Sequence, residues 1–201
     1  MAHSSISAAV LIGGQSRRMG RPKALLRLTK GDPTLIERTV AILRTVADDV
    51  FLVGAAGWPL PTPLSACRLA IDEGTSAADG VVTALDAAMH RFCIVVACDM
   101  PFLDAGLLRK MGGLALRSGH GVMVSDSRGT HPLHAVWDRE TAPALHAAIE
   151  RGERSLGALA LLADMASLEV DGAGQDERWS VFNVNTPDDL AVARARAARM
   201  R

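Results

Sequence analysis

The sequence lacks tyrosine, and aromatic residues make up only 3% of its 201 residues. Proteins that stack bases on aromatic platforms need several such side chains, so stacking is not expected to be the main mode of recognition. Charge of one sign is not in excess either, because 22 Lys and Arg residues balance 22 Asp and Glu residues. A nucleic-acid-binding protein usually has a basic excess or a basic stripe. The composition therefore argues against nucleic acid as a partner, although local charge can still bind an anionic small molecule.

Cysteine is also scarce, and the three cysteines, Cys67, Cys93 and Cys98, have no paired spacing. An odd, sparse set of this kind argues against a disulfide framework and against a structural zinc site. No apolar run approaches the roughly 20 residues that span a bilayer, and no basic region precedes the first apolar run. We therefore expect a cytoplasmic protein without a signal peptide and without a membrane as partner.

Short apolar segments alternate with amphipathic segments along most of the chain. The run from Phe92 to Ala97 is apolar throughout, as central strands of parallel sheets are. No linker, repeat or composition break divides the chain, so the pattern predicts one three-layer α/β domain over residues 1–201 with a mostly parallel sheet. The predicted strands are Ser7–Ile12, Val50–Val53, Arg68–Ile71, Phe92–Ala97, Gly121–Val124, Leu133–Trp137 and Ser167–Val170. The predicted helices are Thr34–Ala47, Val81–Met89, Asp104–Leu116, Arg139–Arg151, Ser155–Leu162 and Asp188 to about Arg199, and Asp171–Arg178 is predicted as a polar loop. For the last helix, Thr186 is the expected N-cap and Pro187 takes the first position.

A loop rich in glycine and positive charge follows the first predicted strand. Besides its glycines it contains Arg17, Arg18 and Lys23. Ligands of parallel α/β sheets bind at the carboxyl ends of strands, where such a loop offers backbone N–H groups and fixed charge. Arginine supplies forked donors and lysine a compact charge, so these side chains could neutralise a triphosphate. The alternative is an ordinary strand-to-helix turn with solvated basic residues.

Gly13 and Gly14 begin this loop. They remove side chains where a phosphate or a base must come close. The spacing is not G-x-x-x-x-G-K-[ST], and Ala24 follows the lysine, so the loop is not a P-loop. It does not match G-x-G-x-x-G either. The loop therefore predicts phosphate binding without matching either of the two common phosphate motifs.

Two aspartates follow predicted strands at the same edge of the sheet. Asp99 comes just after the most apolar strand, and a carboxylate there could bind Mg²⁺, which prefers oxygen ligands and phosphates. Asp72 follows the third strand and could accept hydrogen bonds from the N1–H and amino groups of guanine or from ribose hydroxyls. Each aspartate could instead simply form a turn or cap a helix.

Polar residues near the C-terminal end and in the middle of the chain form two further groups. Asn183 and Asn185 flank one residue, so on an extended segment they face the same side and could hold a polar substrate. The alternative for both is turn formation and helix capping. His131 could contact an anionic substrate, whereas His134 lies inside a predicted strand and is expected to pack. A zinc site is not expected, because no third soft ligand has suitable spacing.

Several motifs resemble those of a known superfamily. The sequence L-I-G-G-Q-S-R-R-M-G at positions 11–20, with Lys23, resembles the signature loop of nucleotidyltransferases. Cys98-Asp99-Met100-Pro101 resembles the metal-binding strand end of that superfamily. Three further segments narrow the resemblance to the molybdenum cofactor guanylyltransferase family, over nearly the whole chain. They are His131–Val136, Gly152–Leu156 (which contains Arg154) and Phe182–Leu190.

The resemblance implies a Rossmann-like α/β/α fold and transfer of GMP from GTP to the phosphate of molybdenum-bearing molybdopterin, with release of pyrophosphate and with Mg²⁺ as cofactor. GTP and molybdenum-molybdopterin would then be partners, and molybdoenzyme maturation proteins are further candidates. Asp99 matches the magnesium ligand, and Lys23, Arg17, Arg18 and Asp99 are the expected catalytic residues. The residues that match GTP contacts are Leu11, Ile12, Gly13, Gly14, Lys23, Asp72 and Asp99. The residues expected on the molybdopterin side are His131, Arg154, Asn183 and Asn185.

The chain departs from the family pattern at three places. Where the family often has Asn just after the second strand, the aligned position here is about Val53, before Gly54. The family's G-P-x-x-G segment is replaced by the sequence at Ala77–Val82, which we interpret as part of a loop. Ile12 replaces the usual Ala and puts a bulkier side chain near the base.

Three other functions remain open. The first is a cytidylyltransferase acting on the same pterin, against which the pair Gly13-Gly14 and the segment His131–Val136 favour guanylyl transfer. The second is a sugar-phosphate nucleotidyltransferase, for which the chain leaves little room for a sugar-binding subdomain. The third is a non-catalytic nucleotide sensor, against which the presence of both Lys23 and Asp99 argues.

Overall fold

A sheet runs through the part of the chain that this computed structural model describes, which is residues 5–13, 22–171 and 174–200. Within these ranges seven strands lie side by side in the order β3-β2-β1-β4-β6-β5-β7. The strands are β1 (Ile6–Leu11), β2 (Asp49–Gly54), β3 (Arg68–Ile71), β4 (Phe92–Ala97), β5 (Val122–Asp126), β6 (Gly129–Asp138) and β7 (Ala166–Glu169). Only β6 runs antiparallel to its neighbours, β4 and β5, so the prediction of a mostly parallel sheet is confirmed.

The order of the strands reverses at β1, which has β2 on one side and β4 on the other. Leu11, the last residue of β1, lies opposite Val53 of β2 and Ala97 of β4. In open α/β sheets the loops that leave such a switch point diverge and form a crevice between them. The topology therefore positions the loops after β1, β2 and β4 around one crevice.

Helices cover both faces of the sheet, which gives three layers. Helices α1 and α3 pack on one face, and α2, α4 and α5 pack on the other. In β1 the side chains alternate, with Ala8 and Val10 on the α1 face and Ala9 and Leu11 on the α2 face. Because both faces are buried, β1 and β4 read as continuous apolar runs. The helices are α1 (Leu35–Leu43), α2 (Ala77–Ala87), α3 (Ala105–Ser118), α4 (Ala142–Glu150), α5 (Leu156–Leu162), α6 (Gln175–Ser180) and α7 (Pro187–Arg199).

Helix α2 begins at Ala77, so the prediction that it begins at Val81, after a loop, is wrong. Ser76 is the N-cap, and its side chain accepts a hydrogen bond from the backbone N–H of Asp79. The Asp79 carboxylate in turn accepts from the backbone N–H of Ser76 at 2.9 Å. This capping box satisfies orphan donors at the helix end and fixes its start. The segment interpreted as a loop over Ala77–Val82 is therefore the first part of a helix.

Other predicted elements also differ from the structure, and helix α1 ends at Leu43 rather than Ala47. Strand β6 begins at Gly129 rather than Leu133, because a hairpin pairs Asp126 of β5 with Gly129 directly. Helix α6 covers the second half of the stretch predicted as a polar loop and extends to Ser180. It has acidic residues in its first turn and Arg178 in its last turn, which suits the helix dipole.

The predicted start of α7 is confirmed, with Thr186 as N-cap and proline at the first helical position. Leu190 of α7 belongs to a third apolar cluster that includes Leu26 and Phe102. This cluster ties the C-terminal part of the chain to the segments that follow β1 and β4. None of the helices in the described ranges is long and apolar enough to cross a membrane.

Candidate functional site

A cleft of about 600 Å³ opens at the carboxyl ends of β1 to β4. The loops that follow these strands form its walls, together with the start of α2 and one residue of β6. Its lining includes six of the residues predicted from the sequence, which are Leu11, Ile12, Gly13, Lys23, Asp72 and Asp99. These residues are distant in the chain, and the strand order brings them to one edge of the sheet.

The end of β1 forms the floor of the cleft. The backbone N–H of Ile12 donates to the carbonyl oxygen of Val53 at 2.9 Å, and that of Cys98 donates to Leu11 at 3.3 Å. These bonds extend the sheet by one residue at the switch point. Gly13 then leaves the sheet, and a Cβ atom placed on it would meet no atom of the described residues within 4 Å. The backbone at Gly13 is therefore open to any ligand in the cleft.

Ile12 and Gly54 have complementary shapes. The Ile12 side chain is 4% exposed and belongs to the apolar core on the α1 face. A Cβ atom on Gly54 would lie 2.5 Å from Cγ1 of Ile12, which is far inside contact distance. The large residue at position 12 therefore fits because residue 54 has no side chain. Two of the three departures from the family pattern, at Ile12 and at about Val53, lie at or next to this contact.

Lys23, Asp99 and Asn185 form a polar cluster at the other side of the cleft. The Lys23 ammonium lies 3.1 Å from Oδ2 of Asp99 and donates to Oδ1 of Asn185 at 2.6 Å. The pairs are 76 and 162 residues apart in sequence. The backbone N–H of Val184 donates to the carbonyl oxygen of Asp99 at 2.9 Å, which fixes the C-terminal segment against the end of β4. The structure thus brings two predicted catalytic residues and one predicted molybdopterin-side residue into contact.

The cluster suits a magnesium ion that takes most of its ligands from elsewhere. The Asp99 side chain is 15% exposed and offers one carboxylate to the cleft. The carbonyl oxygen of Asn185 lies nearby, because it accepts a hydrogen bond from the same Lys23 ammonium. Among the described residues no group of three or more His, Cys, Asp or Glu side chains could hold a metal. Magnesium is commonly bound through one or two carboxylates together with substrate phosphates and water, so a dedicated protein cage is not needed.

Asp72 lies at the opposite end of the cleft, after β3. Its backbone N–H donates to Gly54, and its Oδ1 accepts from the N–H of Gly74 at 2.9 Å. A Cβ atom on Gly80 would lie 3.4 Å from Oδ2 of Asp72 and 3.3 Å from Cδ1 of Leu11. The glycine in α2 therefore lets the helix lie close to both predicted nucleotide contacts.

The backbone N–H groups just before α2 already donate to a side chain of that helix. The Asp79 carboxylate accepts from the backbone N–H groups of Thr75 and Ser76, at 3.1 and 2.9 Å. Burial would raise the pKa of Asp79, but the hydrogen bonds from Ser76 and Thr75 and the charge of Arg154 outweigh it, so the pKa is lowered. These donors serve the helix cap, and Arg154 lies on this side of the molecule.

The four residues expected on the molybdopterin side do not form one cluster. Asn185 contacts Lys23, as described above, whereas the Asn183 amide donates to the carbonyl of Val181 at 3.4 Å. The Arg154 guanidinium donates to the backbone carbonyl of Glu153 at 2.8 Å. None of Asn183, Arg154 and His131 lines the main cleft within the described part of the chain.

His131 lies beside a carboxylate rather than facing the cleft. Its Nε2 is 3.0 Å from Oδ1 of Asp126, and Arg128 lies 2.6 Å from the other oxygen. Burial raises the pKa of Asp126, but Arg128 and His131 outweigh it and lower the pKa to about 2. This group borders a second cavity of about 260 Å³, which Arg178 and Phe182 also line.

His134 is packed, as the sequence predicted. It is fully buried, and its Nε2 lies 3.4 Å from the hydroxyl of Ser180. Burial, with a smaller contribution from the charge of His131, lowers the pKa of His134 to about 3. The imidazole is therefore neutral, and it joins β6 to the end of α6.

The cleft residues that the sequence did not predict include Trp58, Ser76 and Leu133. Ser76 could have been found, because Ser at the first and Asp at the fourth position of S-x-x-D is a helix-start signal. Trp58 lies in a proline-rich loop whose path no local pattern gives. Leu133 was placed correctly in a strand, but its contact with the cleft depends on which strand pairs with β4.

Gly14, Arg17 and Arg18 lie outside the described residues, so their predicted contacts with phosphate stay predictions.

Comparison with known proteins extends this picture. The family model described as "MobA-like NTP transferase domain" matches residues 8–168. A probable molybdenum cofactor guanylyltransferase from Opitutus terrae is 37% identical, over 92% of this chain and 93% of its own. A probable molybdenum cofactor guanylyltransferase from Mycobacterium avium is 33% identical, over 96% of this chain and 97% of its own.

Solved structures agree with the fold. The molybdopterin-guanine dinucleotide biosynthesis protein A of Archaeoglobus fulgidus superposes with a TM-score of 0.81 at 26% identity, covering 96% of this chain and 100% of its own. A 2-C-methyl-D-erythritol 4-phosphate cytidylyltransferase from Thermus thermophilus has a TM-score of 0.71 at 23% identity, covering 96% and 99%, and shares the fold. With a family model over most of its length and curated relatives at this identity, the chain belongs to the family of MobA-like NTP transferase domains.

Proposed function

We propose that this protein transfers GMP from GTP to the phosphate of molybdenum-bearing molybdopterin and releases pyrophosphate. The observation that carries the proposal is the cluster of Lys23, Asp99 and Asn185 at the switch point of a MobA-like fold. The names of the Opitutus and Mycobacterium relatives support guanylyl transfer to the molybdenum cofactor.

The length of the cleft suits a nucleoside triphosphate. Asp72 follows β3 and Asp99 follows β4, and these strands are three steps apart in the sheet. At about 4.8 Å between neighbouring strands, the two ends of the cleft are roughly 14 Å apart. The base would bind at the Asp72 end, where a carboxylate can accept from a guanine edge. The phosphates would bind between Gly13 and Asp99, close to Lys23.

The reaction needs no covalent enzyme intermediate, because the acceptor phosphate is already an anionic nucleophile. Its oxygen forms a bond to the α-phosphorus, and the bond between that phosphorus and the bridging oxygen breaks, so pyrophosphate leaves. Lys23 would lie against the phosphates and stabilise the charge that develops on the departing group. Arg17 and Arg18 are proposed to assist it.

Asn185 would hold the lysine in position. Its carbonyl oxygen accepts from the Lys23 ammonium at 2.6 Å, and the Val184 N–H anchors the same segment to Asp99. A catalytic group that is held by a second side chain loses less freedom when the substrate arrives. The acceptor is proposed to enter from this C-terminal segment, on which Asn183 also lies, with His131 and Arg154 as further contacts.

Asp99 would hold the magnesium ion, with the Asn185 oxygen nearby. When bound, Mg²⁺ would neutralise phosphate charge and act as a Lewis acid toward phosphoryl oxygens. The protein's own contribution would be one fixed carboxylate at the edge of the sheet.

A direct assay tests the proposal. The purified protein is incubated with GTP, Mg²⁺ and molybdenum-loaded molybdopterin, and both pyrophosphate and the guanine dinucleotide product are quantified by mass spectrometry. We expect both products in equal amounts. Transfer from CTP in place of GTP would make the protein a cytidylyltransferase, and absence of pyrophosphate with either nucleotide would refute transferase activity.

Single substitutions separate the two proposed roles. Lys23→Ala should lower kcat roughly 100-fold or more while changing the Kd for GTP much less. Asp99→Asn should lower transfer by a similar factor at saturating Mg²⁺. Asp86→Asn is the matched control, because that carboxylate is 54% exposed and pairs with His146 on α4. Undiminished transfer by Asp99→Asn would show that Asp99 has no catalytic role.

A further inference from the structure

The connection between β2 and β3 puts a tryptophan into the cleft. Trp58 lines it together with Ala55 and Asp72. Its backbone N–H donates to the carbonyl of Ala55 at 3.3 Å, and Gly57 has a left-handed φ of 73°. This tight turn folds the chain back at the end of β2, so that a loop side chain reaches the cleft.

The loop that carries Trp58 is held in place. Pro59, Pro61 and Pro63 each fix a backbone angle, and a short 3-10 turn follows at Thr62–Leu64. The ring itself is half-buried, and it packs against the apolar core on the α1 face. One part of the indole is thus fixed by the protein while another part faces the cleft. A flat side chain held in this way loses little conformational entropy when a ligand binds.

Few side chains beside Trp58 are able to bind a base. Val53, Gly54 and Ala55 have no side chain that can form a hydrogen bond, and they occupy the region where the family pattern often has Asn. The hydroxyl of Ser76 is bound to the Asp79 carboxylate at 2.7 Å. Asp72 can bind the edge of a base, and the indole of Trp58 offers a surface for its face.

The side chains of the other two tryptophans make contacts in other parts of the protein. Trp137 is fully buried, and its indole N–H donates to the carbonyl of Pro132 at 3.0 Å. Trp179 lies edge-on to Phe102 with ring centroids 5.5 Å apart and has the Arg196 guanidinium over its ring. Among the described residues that line the cleft, Trp58 is the one with an aromatic ring.

We infer that Trp58 determines nucleotide specificity, because its indole stacks on the base and favours a purine over a pyrimidine. A purine has the larger flat surface, so it gains more from stacking on an indole. The inference rests on the proposed function, because it requires that the cleft bind a nucleoside triphosphate.

Two substitutions separate stacking from packing. Trp58→Leu keeps an apolar side chain but removes the ring, and Trp58→Phe keeps a smaller ring. The Kd values of GTP and CTP are measured by titration calorimetry with Mg²⁺ present. For Trp58→Leu we expect the GTP Kd to rise roughly 5- to 100-fold and the CTP Kd to rise less, while Trp58→Phe keeps most of the preference for GTP. An equal change for both nucleotides, or no change for either, would overturn the inference.

Intrinsic fluorescence provides a second, independent readout. GTP should change the tryptophan emission of the wild-type protein, and this change should vanish in Trp58→Phe but persist in the control Trp179→Phe. A change that persists undiminished in Trp58→Phe would also overturn the inference, even if Trp58→Leu failed to fold. If Trp58→Leu transfers GMP with unaltered nucleotide preference, the inference fails and the proposed function stands. If the wild-type protein binds no nucleotide, both fail.

Discussion

The contact between Ile12 and Gly54 can be tested with a double-mutant cycle. In Gly54→Ala the new methyl group would lie 2.5 Å from Cγ1 and 3.1 Å from Cδ1 of Ile12. Carbon atoms pack at about 3.5–4.0 Å, so the overlap with Cγ1 is roughly 1 Å. Ile12 is 4% exposed and cannot move into solvent. We expect Gly54→Ala to lower the free energy of unfolding by about 1–3 kcal/mol, as overpacked cores do.

The same contact predicts how Ile12→Ala changes the result. Ile12→Ala alone should cost about 2–5 kcal/mol, because it removes a buried side chain. It also removes both atoms that would clash with the methyl group introduced by Gly54→Ala. In the Ile12→Ala background we therefore expect Gly54→Ala to cost less than about 0.5 kcal/mol, which gives a coupling energy of about 1–3 kcal/mol.

Urea unfolding followed by circular dichroism at a fixed pH measures all four proteins. Gly13→Ala is the matched control, because its Cβ atom would meet nothing within 4 Å in the described part of the chain, and we expect a change within about 0.5 kcal/mol. Additive costs for Gly54→Ala and Ile12→Ala would refute the reasoning, because they would mean that the two side chains do not compete for the same space.

Two further predictions concern the cleft and a buried histidine. Gly13→Ala should raise the GTP Kd by roughly 5- to 100-fold in titration calorimetry, because the added methyl group enters the space proposed for the nucleotide. The same substitution should leave stability unchanged. An unchanged Kd would show that Gly13 is not part of the nucleotide site. The pKa of His134 is lowered from 6.5 to about 3, so below pH 6.5 the unfolded chain binds a proton that the folded chain does not. The free energy of unfolding therefore decreases as the pH falls, by up to about 1.4 kcal/mol per pH unit. His134→Gln should therefore show a shallower loss of stability between pH 6.5 and 4 than wild type, whereas His120→Gln, whose side chain is 56% exposed, should follow wild type.

The sequence predicted the fold class and the strand ends well, for a physical reason. Buried parallel strands are apolar on both faces, so β4 could be bounded correctly from local composition. Asp72 and Asp99 were placed in the cleft because carboxyl ends of parallel strands share one edge of the sheet. Helix starts were predicted where proline and capping residues coincide, as at Thr186.

Other features depend on contacts that local patterns do not contain. The start of α2 at Ala77 was missed because its first turn is rich in alanine and only weakly amphipathic. The reciprocal cap between Ser76 and Asp79 is what fixes the helix start there. Helix α6 was missed because it is short and polar, so its apolar periodicity is weak. The pairing of His131 with Asp126 was not predicted, since nothing in the sequence places Asp126 beside it.

The glycine-rich loop, the strand-end aspartates and the alternation of strands and helices follow from the sequence alone, because each depends on neighbours in the chain. The tertiary structure decided which of these residues meet. Lys23 reaches Asn185 only because β1 and β4 are adjacent and the Val184 N–H binds Asp99. Ile12 is accommodated only because β2 presents Gly54 beside it. Such contacts join residues far apart in sequence, and strand order, which local periodicity does not encode, selects them.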